Sequence, residues 1–352
     1  MEIAELGEFG LIRRLTSSLE SVQDSTLKGV GDDAAVIAPT DGEVTLVTTD
    51  MLMEGVHFDL VYTPLKHLGY KAVAVNLSDL YAMNATPRQV TVSLAISKRF
   101  KVEDIETLYE GMRLACAEYG ADIVGGDTSA SMTGLAISIT AIGTARKEDV
   151  VYRSEAREND LICVSGNLGA AYMGLQLLER EKMVYLSQEK EMKGNTVPFE
   201  PDFSGKEYLL QRQLRPEPRR DIVNRLRETG VRPTAMMDIS DGLSSELLHI
   251  CHESKCGCRI YEDRIPLDYQ TAATAEEFNM NVTTCALNGG EDYELLFTVP
   301  LQEREKVEDM EDVKVIGYIS KAEHGKILVT RDGAEFELKA QGWNAMGKEE
   351  LW

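Results

Sequence analysis

Two periods of apolar spacing alternate along the chain. Residues 43–49, EVTLVTT, alternate as a half-buried strand does, and the run ends at Asp50. Thr63-Pro64 then supplies a helix N-cap and first helical position. Apolar residues follow at Leu65, Leu68, Ala72, Val75 and Leu80, with Asn84 as a helix-ending cap. Asn76 and Asp79 share one face of this largely apolar helix, so their polar groups need partners inside the fold. Residues 89–96 (QVTVSLAI) read as a strand. Residues 102–119 read as an amphipathic helix with Ile105, Leu108, Met112 and Ala115 on one stripe and Gly120 as its stop. Residues 122–124 form a short strand running into Gly125-Gly126-Asp127, and 135–143 form another.

The charged passage ARKEDVVYRSEAREND separates two domains, 1–147 and 148–352. The second opens with LICVSGNLGAAYMGLQLLE, a strand, a glycine turn and a helix. Such a turn can hold a phosphate at the helix N-terminus, but close βα packing through glycine explains this segment better. Residues 180–205 are polar, contain Pro198 and Pro201, and read as a surface insertion. Helices over 219–228 and 243–252, and strands over 235–239 and from Tyr293, complete the pattern. Strand, acidic turn and helix recur in both halves. The expected class is α/β (α+β): an N-terminal mixed or antiparallel sheet with helices on one side, and a C-terminal α/β domain.

Composition narrows the function. The chain has 352 residues, 43% of them hydrophobic, and a formal net charge of −22. That charge opposes non-specific binding to nucleic acid or anionic membrane. No run is long and apolar enough to span a bilayer, and the N-terminal residues lack the basic leader of a signal peptide. Six scattered Cys show no small-scaffold disulfide pattern, so a reducing cytoplasm is expected.

The candidate chemistry lies in GVGDDAAV, TTD, NLSD, GGDTS, DISDGL and GGEDYEL. Each sets carboxylates beside Gly, Ser or Thr. One such cluster is ordinary turn chemistry. Together, Asp33, Asp50, Asp79, Asp127, Asp238 and Asp241 fall at expected element ends or on a buried helix face. Carboxylates gathered without matching Lys or Arg suit hard cations such as Mg²⁺. GWNAMGKE has phosphate-loop spacing, but Glu349 stands where Ser or Thr is required. No HExxH or GxSxG occurs. HICHESKCGC could offer zinc ligands, but its spacing is irregular and buried thiols explain it more simply.

The ordered motifs GVGDDAAV, TTDMLMEGVHF, YKAVAVNLSDLYAMNA, IVGGDTS, VYRSEA, DISDGLSSEL and NGGEDYELLFTV resemble the thiamine-monophosphate kinase family. That family lies within the superfamily of aminoimidazole-ribonucleotide synthetase and selenophosphate synthetase. The resemblance runs from Gly7 to about Trp343 outside the insertion, and departs from the family's usual Gly at Asn84. It implies transfer of the γ-phosphoryl group of ATP to thiamine monophosphate in a homodimer joined through N-terminal sheets. It assigns Asp33, Thr48, Thr49, Asp50, Asp79, Asp127, Asp238 and Asp241 to several Mg²⁺ ions. Asp50, Asp127 and Asp241, through metal, and Arg153 become the catalytic set. Tyr109, Gly126, Arg153 and Ser240 fall to the nucleotide, and His57, Glu291 and Trp343 to the substrate. No general base is needed, because the acceptor phosphate is already ionised at neutral pH.

Rival readings are another ATP-using member of the superfamily, such as a purine-intermediate synthetase, or a non-catalytic Mg-nucleotide binder. Selenophosphate synthetase fits less well, since the first cysteine is Cys116. The hydrogenase-maturation relative also fits less well, since the final residues are EELW, without a terminal Cys.

Overall fold

The computed structural model describes residues 14–28, 36–37, 41–191 and 201–341. Asp33 and Trp343 therefore lie outside the described residues. The chain divides into two compact units, Met1–Val150 and Val151–Trp352.

In the first unit β1 (Thr26–Lys28) and β2 (Val36–Ile37) form an antiparallel pair. The main sheet contains β3 (Glu43–Met53), β4 (Thr86–Ile96), β5 (Asp122–Ala130) and β6 (Leu135–Arg146). Its order is β3-β6-β4-β5, with β4 and β5 parallel and the other pairs antiparallel. It is thus the mixed sheet expected. Helices α1 (Leu65–Ala82) and α2 (Val102–Tyr119) cover one of its faces. They cross at backbone contact: a Cβ on Gly69 would lie 1.9 Å from the Leu108 carbonyl oxygen, and one on Gly111 1.8 Å from that of Lys66. Only glycine permits that approach. Helix α1 starts one residue later than expected, with Pro64 at its N-cap. Asn84, at φ 59°, and Gly120, at φ 72°, end α1 and α2 in left-handed conformation.

Two strands run further than their sequence suggested. Strand β3 continues through Asp50 because β6 keeps pairing with it, from Asp50 opposite Ile139 to Met53 opposite Ala136. Strand β5 likewise continues through Gly125-Gly126-Asp127, paired with β4 as far as Ala130 opposite Ile96. Asp50 and Asp127 are therefore strand residues, not element ends.

The second unit holds a seven-stranded sheet, β13-β12-β9-β11-β7-β10-β8. Its strands are β7 (Leu161–Ser165), β8 (Ala235–Asp238), β9 (Gly257–Tyr261), β10 (Leu295–Val299), β11 (Val313–Ser320), β12 (Lys326–Val329) and β13 (Glu335–Glu337). All pairs are antiparallel except β12 with β9. The helices are α3 (Ala170–Glu191), α4 (Glu207–Leu214), α5 (Arg220–Thr229), α6 (Leu243–Glu253), α7 (Tyr269–Glu277), α8 (Val282–Asn288) and α9 (Arg304–Glu308). One core packs Val164, Leu243, Leu247, Ile250 and Leu296 together, all 0% exposed. The supposed insertion is in part helical, since α3 runs to Glu191 with a Lys182–Glu179 ion pair along it. Among the described residues no helix is long and apolar enough to cross a membrane.

Candidate active site

In the first unit, the pleat of β3 sorts the TTD cluster between the two sheet faces. Thr48 and Asp50 face α1. The Thr48 hydroxyl donates to Asp79 Oδ2 at 2.6 Å, and the Asp50 N–H donates to Asn76 Oδ1 at 2.9 Å. Asn76 is 0% exposed and fixed in turn by the Ala72 carbonyl at 3.0 Å. Burial raises the Asp50 carboxyl to about 6, and the negative charge of Asp79 pushes the same way. Two carboxylates and a hydroxyl thus gather where both influences on Asp50 disfavour its charge. That donor set suits a hard divalent cation.

Thr49 does not join them. Its hydroxyl lies on the opposite face, donating to the Ile139 carbonyl at 3.0 Å and accepting from Thr140 at 3.1 Å. Asp127 is exposed on β5, with Oδ1 accepting the Thr128 N–H at 2.9 Å. Beside it, a Cβ on Gly126 would lie 1.8 Å from the Val92 carbonyl oxygen, so this backbone needs glycine. His57 closes the turn after β3: its Nδ1 accepts the Met53 N–H at 3.0 Å. Tyr109, assigned to the nucleotide by the resemblance, is 6% exposed on α2, and burial raises its phenol to about 12.

In the second unit, β8 and β10 are neighbours, and this brings DISDGL against GGEDYEL. The Glu291 N–H donates to the Ser240 carbonyl at 2.6 Å, and the Tyr293 N–H to that of Ile239 at 2.8 Å. Glu291 sits at φ 58°, and its Oε2 accepts from Gln213 Nε2 at 2.8 Å. Asp238 is 7% exposed at the end of β8. Burial raises the Asp241 carboxyl; His249 opposes that shift and Glu291 adds to it. His249 on α6 is lowered by burial first and then by the charge of Arg153, with Asp241 pulling the other way. The charges of Arg153 and Asp241 thus act on the same imidazole in opposite directions. The exposed Arg153 is also tied to α6 through Ser254, whose hydroxyl donates to the Arg153 carbonyl at 3.2 Å and accepts the Ala156 N–H at 3.1 Å.

In the glycine turn after β7, two of the N–H groups at the helix start already have a carboxylate partner. The Asp292 carboxylate, 1% exposed, accepts from Gly169 N–H at 2.7 Å and Ala171 N–H at 3.3 Å at the start of α3. Burial raises Asp292 to about 6, while Arg212 and these N–H groups oppose the shift. Next to it, Glu294 is 1% exposed and bridges Arg212, at 2.8 Å, and Arg219. Sequence reasoning missed Asp292, Glu294, Arg212 and Arg219. The glycine turn read better as close packing than as a phosphate site, and the anion that it does hold is the internal Asp292 carboxylate.

Among the described residues no three Cys, His, Asp or Glu groups converge as a closed metal site. The acidic residues meet as a pair on β3 and α1 and as a loop after β8. Within HICHESKCGC, Cys251 and Cys258 are buried core thiols.

Residues 31–145 match the family described as AIR synthase related protein, N-terminal domain, and residues 157–330 its C-terminal domain. The thiamine-monophosphate kinase of Aquifex aeolicus (strain VF5) is 36% identical over 343 residues, covering 97% of this chain and 99% of that one. That of Bacillus subtilis (strain 168) is 33% identical over 345 residues, covering 96% and 99%. A solved structure of AaThiL complexed with AMPPCP and TMP matches with a TM-score of 0.70 at 34% identity, covering 96% of this chain and 97% of that one. An ordered series of acidic motifs, a two-part fold and identity above 30% along almost the whole length lead to one conclusion: this chain belongs to the thiamine-monophosphate kinase family.

Proposed function

We propose that the chain transfers the γ-phosphoryl group of ATP to thiamine monophosphate, giving thiamine diphosphate and ADP, the last step in making that cofactor. The observation that carries the chemistry is the Asp50–Asp79 pair beside Thr48, in a chain of this family. An acidic pair held against its own repulsion fits Mg²⁺. Asp33, Thr48, Asp50, Asp79, Asp127, Asp238 and Asp241 are the proposed Mg²⁺ ligands, and Thr49 contributes no side-chain oxygen. When bound, Mg²⁺ would neutralise phosphate charge and align the reacting oxygens for direct in-line transfer.

The chain's own residues supply binding and orientation. Arg153 places a fixed positive charge on the ATP phosphates. Ser240 lies at the nucleotide, and the bare backbone at Gly126 allows close approach of the nucleotide. His57, whose Nδ1 is taken by a backbone N–H and whose Nε2 is therefore the donor nitrogen when neutral, is directed to the acceptor phosphate. Glu291 and Trp343 face the thiamine, where a carboxylate and an aromatic ring suit a thiazolium cation. The acceptor oxygen is the nucleophile and needs no base.

The open face of the first sheet supports a homodimer. Val47 is 64% exposed, Met51 59% and Met53 39% on β3, an apolar surface that a second copy would cover. The six cysteines are free thiols, which suits the cytoplasm.

Purified protein given ATP, Mg²⁺ and thiamine monophosphate should yield thiamine diphosphate and ADP in equal amounts. No product at high enzyme concentration would sink the proposal. ADP release only with a purine intermediate would favour the synthetase alternative.

A further inference from the structure

One buried carboxylate stands directly behind the residues assigned to metal and nucleotide. Glu246 lies in the first turn of α6 and is 1% exposed. Its Oε1 accepts the Asp241 N–H at 2.9 Å and, at 3.5 Å, the Ser240 hydroxyl. Its Oε2 is buried with no hydrogen-bond partner among the described residues. Leaving such an atom unpaired is costly, and an apolar residue would avoid the cost.

Helix capping accounts for part of the arrangement. Gly242 is the N-cap and has no side chain to cap with, so a glutamate reaching back is a substitute for the usual box. Yet the group it reaches is the backbone of Asp241, ahead of the cap. That turn is held on its other side too. A Cβ on Gly290 would lie 2.6 Å from the Ser240 carbonyl oxygen, and one on Gly242, at φ 115°, 2.7 Å from that of Leu287. Ser240 and Asp241 are thus clamped between Glu246 and the Gly290-Glu291 turn.

We infer that Glu246 is a positioning residue for phosphoryl transfer, fixing the Ser240–Asp241 turn in the conformation that receives Mg-ATP. The inference rests on the assignment of Ser240 and Asp241 made above. Glu246 itself touches neither substrate. Positioning groups of this kind change metal affinity or activity by about 10–100-fold when removed.

The test uses the full chain and compares Glu246→Gln and Glu246→Ala, with Asp241→Asn as reference. Glu246→Gln keeps an acceptor for the Asp241 N–H and should retain kcat/KM for Mg-ATP within about threefold. Glu246→Ala should lower it about 10–100-fold and raise the Mg²⁺ concentration for half-activation, with KM for thiamine monophosphate unchanged. Should Glu246→Ala fail to fold, Glu246→Asp withdraws the carboxylate by one methylene and must show the same loss confined to Mg-ATP. A fall in thermal stability without any change toward Mg-ATP would reduce Glu246 to a cap and overturn the inference. Normal turnover in Asp241→Asn would overturn the site assignment and the inference with it. An inactive Asp241→Asn beside a fully active Glu246→Ala would overturn the inference alone.

Discussion

At Asp50, burial and Asp79 both disfavour the charged carboxylate, holding its pKa at about 6 instead of 3.8. The native state therefore binds this proton more tightly than the unfolded chain does. Its contribution to stability is fully present below about pH 4 and is lost as pH rises through about 6. Metal-free protein should melt at lower temperature as pH is raised across that window. Asp50→Asn should flatten the trend and stabilise metal-free protein at neutral pH by on the order of 1–2 kcal/mol. The same variant should lose phosphoryl transfer by at least about a thousandfold, the trade expected where strain serves a site. Calorimetry and an activity assay on the one variant check both. At Gly126 the constraint is steric, since a Cβ would lie 1.8 Å from the Val92 carbonyl oxygen. Gly126→Ala should cost roughly 2–4 kcal/mol by forcing β5 off β4, which denaturant titration would read.

Among the elements, β3 carries Thr48 and Asp50, and α6 carries Glu246 and His249. Helix α1 was legible from its apolar spacing, and the Asn76–Asp79 pair on it signalled buried polar chemistry. Sequence could not show that Asn76 would hold the Asp50 backbone, because that bond joins residues far apart in the chain. Nor could it show β3 running past Asp50: strand length was decided by β6, not by local alternation. The Asp292 cap on α3 was hidden for a related reason, since its donors lie over a hundred residues upstream. Helix α6 links two of the proposed site residues. Its first turn supports Asp241 through Glu246, and Ser254 at its end ties down the Arg153 loop. Ser254→Ala should raise KM for ATP about three- to tenfold with little change in kcat, because Arg153 is displaced rather than removed. Unchanged steady-state kinetics would show that the Ser254 bonds do not set the position of Arg153.

For the molecule as a whole, the division between Val150 and Val151 falls within the charged passage that marks a boundary in the sequence. Under the proposed function, the net charge of −22 and the carboxylate groupings call for bound cations when the chain meets anionic substrates. The open face of the β3 sheet gives a prediction at this scale. Val47→Asp with Met51→Glu should convert a dimer to monomers in light scattering, and an unchanged mass would exclude this face. The central claim is that these carboxylates hold Mg²⁺ for transfer between two phosphates. Its most direct test is the rate of thiamine diphosphate formation against free Mg²⁺, in the unaltered protein and in Asp127→Asn. Formation should vanish with chelator and rise steeply with Mg²⁺ in the first, and stay at least about a thousandfold lower at every concentration in the second. Formation without a divalent cation, or near-normal turnover in Asp127→Asn, would contradict the account.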